Sequence, residues 1–99
     1  MNNKYIGSSL QDAINEFIAN DDEAKELIER QKLINKISNS IVAIRQAQGL
    51  TQKELADVIN TKQASISRLE KGNLSKFPTI EFLNRIANGL NKKLVIRFE

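Results

Sequence analysis

Between Thr51 and Gly72 the chain reads TQKELADVINTKQASISRLEKG, and its punctuation calls for two short helices with a tight turn between them. Thr51 precedes Glu54 by three residues, the spacing of a capping box. In that box the hydroxyl accepts from the Glu54 backbone N–H and the carboxylate accepts from the Thr51 N–H. Leu55, Ala56 and Ile59 follow at helical offsets, so a helix of about two turns starts at Thr51. Asn60 falls where the chain must turn, and asparagine tolerates a positive φ at modest cost. A second helix spans roughly Gln63 to Lys71 with Ile66 and Leu69 facing inward, and Gly72 ends it.

The remaining segments are also dominated by helix signals. Ser8 or Ser9 can cap a helix over Leu10 to Asn20, with Gln11 or Asp12 returning the bond and Leu10, Ala13, Ile14, Phe17 and Ile18 as its stripe. Asn20, Asp21 and Asp22 end that helix and cap the next. From Glu23 to Gln48 the buried row is Leu27, Leu33 or Ile34, Ile37, Ile41 and Ile44, with Gly49 as the stop. Ser38, Asn39 and Ser40 mark where this run would break, so one long helix and two shorter ones both fit. After NLSKFP, Thr79 caps a helix carrying Ile80, Leu83, Ile86, Ala87 and Leu90, which ends near Gly89 and Asn91.

The tail KKLVIRFE changes period. Leu94, Ile96 and Phe98 alternate with Val95, Arg97 and Glu99, which is a strand pattern. A strand needs a neighbour for its backbone groups. The simplest source is the same strand of a second copy, antiparallel across a two-fold axis, with Leu94, Val95, Ile96 and Phe98 at the interface. Lys4 to Ser8 of the same chain, or a frayed end, are the competing outcomes. The expected architecture is mainly α: a bundle of about five helices with an acidic N-terminal helical arm (1–32), a central domain (33–92) and a C-terminal dimerisation strand (93–99).

Composition removes whole classes of chemistry. Without Cys or His there is no disulfide, no thiolate or imidazole nucleophile system and no ordinary zinc site. A carboxylate pair would need a pocket, and five aromatics with no Trp offer little to build one. Neither an enzyme, a metal site nor a cofactor is expected. MNNKYIGSSLQD lacks an apolar run of signal-peptide length and no stretch of about 18 apolar residues occurs, so a cytoplasmic protein without a membrane partner is expected.

Charge is divided unevenly along the chain. Residues 1–32 carry seven acidic against four basic side chains, and residues 33–99 carry eleven basic against five acidic. A basic body suits an anionic partner and an acidic arm suits a basic one. Two short helices around Asn60 form a helix-turn-helix unit, whose first helix crosses the DNA backbone while the second lies in the major groove. With Ile66 and Leu69 inward, Gln63, Ala64, Ser67, Arg68 and Lys71 face out. Gln pairs with adenine, Arg with guanine, Ala touches a thymine methyl, and Ser serves either role. Lys62, Lys71 and the Gln52 amide suit phosphates, which position without specifying. A polar face of this kind is ordinary on a surface helix; the conjunction of capping box, Ala56, turn Asn60 and terminal Gly72 is not.

The stretch Arg45-x3-Gly49-Leu50-Thr51-Gln52-x-Glu54-Leu55-Ala56, followed by Gln63-x-Ser65-Ile66-Ser67-x-Leu69-Glu70-x-Gly72, resembles the Xre or lambda-repressor-like helix-turn-helix family over residues 41–91. The resemblance implies that Gln52 contacts a phosphate and that Gln63, Ala64, Ser67 and Arg68 face base edges. It further implies an internal ion pair between Arg45 and Glu70. Asn60 stands where Gly is frequent at the turn. FIANDDEAKELIERQ ahead of the motif and IANGLNKKLVIRFE behind it look like the HigA-type antitoxins of bacterial toxin-antitoxin modules. That likeness implies a homodimer that represses its own operon at a near-palindromic double-stranded operator and neutralises a small basic RelE- or HigB-like mRNA-cutting toxin. Only a short strand follows the DNA-binding domain here, which leaves the arm as the candidate toxin contact, through Ile14, Phe17, Ile18 and Leu27. A stand-alone Xre-type repressor without a toxin is the alternative, and an interaction module that has lost DNA binding is a third.

Overall fold

The computed structural model describes residues 3–99, with side chains from Leu10 onward apart from that of Ile18. The described residues form five α-helices: α1 (Asn3–Ala19), α2 (Asp22–Ala47), α3 (Gln52–Val58), α4 (Gln63–Lys71) and α5 (Ile80–Gly89). They divide into two compact units, Met1–Leu33 and Ile34–Glu99. No helix among them is long and apolar enough to cross a membrane.

In the first unit α1 starts at Asn3 and not at a Ser8 or Ser9 cap. No Pro interrupts the preceding residues, and Gly7 costs a helix interior only about 1 kcal/mol, so the helix continues through both serines. Lys4 to Ser8 is therefore helical and supplies no strand. Leu10, Ile14 and Phe17 are exposed along α1, and the side chain of Ile18 lies outside the described residues. Asp21 caps α2, its carboxylate accepting from the Ala24 N–H at 3.0 Å. Leu27 is exposed, contrary to the expected row, and of the two alternatives Leu33 is exposed while Ile34 is buried, so the row is buried only from Ile34. Helical spacing alone does not say where along a long helix neighbours begin.

In the second unit α2 passes unbroken through Ser38, Asn39 and Ser40. Both serine hydroxyls bond back along the helix, Ser38 Oγ lying 2.8 Å from the Ile34 carbonyl and Ser40 Oγ 2.9 Å from that of Lys36. Back-bonding of this kind satisfies the side chain without ending the helix. Ser38 is buried and its Oγ also lies 2.5 Å from the Leu69 carbonyl, tying α2 to the end of α4. The core joins Ile41, Leu55, Ala56, Ile59, Ile66, Leu69, Ile86 and Leu90, with Ile37, Ile44, Leu50, Leu74, Phe82 and Leu83 packed against it. α3 packs on both α4 and α5. Gly89, expected only as a helix end, permits that approach: a Cβ there would overlap the Cγ2 of buried Ile59. Gln48 at the end of α2 donates to the Leu90 carbonyl at 2.6 Å and holds the far end of α5.

The tail departs from expectation. Among the described residues there is no β-strand, and residues 93–99 are neither helix nor strand. A ladder is made of paired backbones, and with Lys4 to Ser8 taken into α1 the single chain offers residues 93–99 no partner strand. Leu94 is half-buried, while Val95, Ile96 and Phe98 are exposed.

Candidate nucleic-acid interface

The pose of α4 is set by the turn before it. Thr51 Oγ1 accepts from the Glu54 N–H at 3.0 Å and the Glu54 carboxylate accepts from the Thr51 N–H at 3.0 Å, so the capping box starts α3 as the sequence requires. α3 ends on Ile59; Asn60 then takes φ +57°, and the Thr61 N–H returns to the Ala56 carbonyl at 2.9 Å. Arg85 of α5 donates through Nη2 to the carbonyls of Ile59 and Asn60. These carbonyls are what a helix end leaves without intrahelical donors. Arg85 thus fastens the turn to α5, a role without local sequence signal because its partners are backbone atoms 25 to 26 residues away.

α4 begins after Lys62, whose extended backbone provides no side-chain cap, and ends at Gly72 with φ +69°. The N–H groups of Gly72 and Asn73 return to the carbonyls of Leu69 and Arg68 at 3.1 and 3.2 Å. Only a residue comfortable at positive φ closes the helix this way, and Gly72 is itself buried. Ile66 and Leu69 are fully buried. At about 100° per residue, Gln63, Ser67, Lys71, Ala64 and Arg68 occupy one arc of about 140° centred opposite them. Gln63, Ala64, Arg68 and Lys71 are exposed and Ser67, within that arc, is half-buried, with exposed Lys62 just before the helix. The five sequence-derived residues of α4 therefore share one face of that helix.

Gln52 is held differently. It is half-buried on α3, and its Nε2 donates to Glu70 Oε1 at 3.1 Å. The same carboxylate takes a two-pronged bond from Arg45, Nε to Oε2 at 2.6 Å and Nη2 to Oε1 at 2.9 Å, while Arg45 Nη1 donates to the Leu50 carbonyl at 2.6 Å. The two side chains are only 10% and 5% exposed. The hydrogen bonds from Glu70 hold the Arg45 guanidinium above its ordinary pKa; burial pulls the other way and the charge of Glu70 adds to the rise. One carboxylate thus links α2, α3 and α4. An amide nitrogen carries two donors, so Gln52 keeps one N–H beyond the bond to Glu70. Lys53, near it, is paired with Asp57 at 3.2 Å on the surface.

The other expected site residues lie apart from this face along the chain. Ile14, Phe17 and Leu27 are exposed in the first unit, and Leu94, Val95, Ile96 and Phe98 follow α5. Sequence reasoning missed Ser38 and Arg85, whose roles rest on contacts to distant carbonyls; Gly89 ends α5 as expected, but its steric role against Ile59 was not foreseen.

No curated protein and no solved structure matches this chain. A family model described as helix-turn-helix matches residues 41–96, more than half of the sequence. That span contains the capping box, the Asn60 turn and all of α4, and on it the chain belongs to the helix-turn-helix family of DNA-binding transcription regulators.

Proposed function

We propose that this chain is a dimeric, sequence-specific repressor of its own operon and the antitoxin of a small, basic, mRNA-cutting toxin of the RelE or HigB kind. The observation that carries the DNA half is the α4 face, where Gln63, Ala64, Arg68 and Lys71 stand exposed over buried Ile66 and Leu69, after a turn that Arg85 fastens to α5. Gln63 and Arg68 have the donor patterns that read adenine and guanine, Ala64 and Ser67 adjust to neighbouring bases, and Lys62, Lys71 and the second Gln52 N–H take phosphates. Two copies of a helix that reads a few base pairs call for two half-sites about one helical turn apart, hence a near-palindromic operator.

The antitoxin half is supported by the first unit. Leu10, Ile14, Phe17 and Leu27 are exposed apolar side chains in the first unit, whose net charge is negative. An apolar stripe among carboxylates fits a groove on a basic partner, and an enzyme that cuts mRNA must be basic around its substrate. Co-expression with the product of the adjacent gene, followed by co-purification, tests the whole reading. A stable complex that inhibits the partner's RNA cleavage is the expected result; specific operator binding with no co-purifying neighbour would leave a stand-alone repressor.

A further inference from the structure

An apolar groove of about 380 Å³ lies between α2, α5 and the tail. Ile37, Ile41, Ile44 and Leu83 line it together with Leu94 and Val95 of the tail, and Lys36 and Lys93 contribute to its lining. Four residues beyond Leu94, Phe98 is wholly exposed. Its own chain cannot readily turn it back, because the intervening Val95, Ile96 and Arg97 include two β-branched residues and no Gly, Pro or Asn.

We propose that the groove is filled by Phe98 of a second copy, the two tails pairing antiparallel with Ile96 on the two-fold axis. The inference rests on the dimer of the proposed function and specifies its register. In an antiparallel pair, residues directly opposite one another point to the same face. With Ile96 facing its own copy, Phe98 stands opposite Leu94, and Leu94 lines the groove. Val95 then faces Arg97, and Glu99 faces Lys93, one ion pair at each end. Centring on Val95 sets Arg97 against Lys93, and centring on Arg97 sets two guanidinium groups against each other; like charges directly opposed disfavour both. An offset by half a position puts Arg97 opposite Leu94 or Ile96 and breaks the match of apolar faces. The Arg97–Glu99 bond at 2.9 Å joins two side chains more than three-quarters exposed, so trading it for Lys93 loses little. Each phenyl ring removes on the order of 150–250 Å² from water, and the ladder gives the tail backbone the partners it lacks in one chain.

The chain contains no cysteine, so single cysteines report the register directly. Opposed Cα atoms lie within disulfide reach, whereas residues one step off the axis face their own copies at about 7–8 Å. Ile96→Cys is expected to form a covalent dimer under mild oxidation, at least about tenfold faster than Val95→Cys or Arg97→Cys. In sedimentation over a concentration series, Phe98→Ala is expected to weaken the dimer at least about 30-fold. Its helical circular dichroism should be unchanged, because Phe98 makes no contact within the folded chain. Glu99→Lys should weaken the dimer and Lys93→Glu/Glu99→Lys should restore it. The proposal is overturned if the native chain stays monomeric, if Val95→Cys or Arg97→Cys links fastest, or if Phe98→Ala dimerises normally. It is equally overturned if Phe98→Ala lowers the melting temperature of the monomer, which would place the ring on its own chain. None of these readouts uses DNA or a toxin: a dimer of another register leaves the proposed function standing, and loss of operator binding by an intact dimer counts against that function alone.

Discussion

Arg45 and Glu70 show how much one buried contact carries. Arg45→Ala leaves the Glu70 carboxylate buried with only Gln52 as its partner, and an uncompensated charge in such a place typically costs 3–5 kcal/mol, roughly. Chemical denaturation should register a loss of that size, and Arg45→Met/Glu70→Met should recover a good part of it because both charges leave together. Gly89 gives a test with an unusual sign. At an ordinary helix position Gly→Ala stabilises by about 0.5–1 kcal/mol. Here the new methyl meets Ile59, which is buried, β-branched and stiff, so Gly89→Ala should instead destabilise by about 1–3 kcal/mol. A higher melting temperature for that variant would mean α5 does not press on the end of α3. On the outer face, Arg68→Ala should cost about 1–3 kcal/mol at one or two operator positions and leave non-specific binding nearly intact. Lys71→Ala should weaken binding to all sequences alike, a difference that titration against a set of single-base operator variants separates.

Among the elements, those with end signals written in adjacent residues were legible to the residue. Thr51 with Glu54, Asn60, Gly72 and Thr79 each act on backbone groups within a few positions, so their sequence neighbours disclose them. α1 and α2 were less legible. Their apolar spacing identifies helices but not their extent, because burial of Leu27 or Leu33 depends on what lies opposite, and the serines at 38 to 40 break a helix only if nothing accepts their hydroxyls. The tail was legible as an alternating pattern and not as a strand, since a strand belongs to a pair. Deleting residues 93–99 should therefore yield a monomer by sedimentation while α2 to α5 keep their helical signal; a dimer that survives the deletion would move the interface elsewhere.

At the scale of the molecule, sequence reasoning located the outward face of α4, on which the proposed base contacts lie, but not the scaffold that holds it. Arg85 reaches the turn from α5 and Ser38 reaches the end of α4 from α2, and neither contact leaves a local trace in the chain. Affinity for DNA should fall steeply as salt rises, because Lys and Arg on phosphates displace bound counterions; a flat dependence would refute the DNA reading. The Arg45–Glu70 bond bears on how that slope is read. Screening weakens exposed charge pairs and leaves enclosed ones nearly untouched. The contact that joins α4 to α2 is enclosed, so raising the ionic strength strips phosphate contacts without loosening the reader itself. In a salt titration of this protein the fold that presents α4 is thus a steady baseline, and the slope reports contacts made outside that enclosed joint.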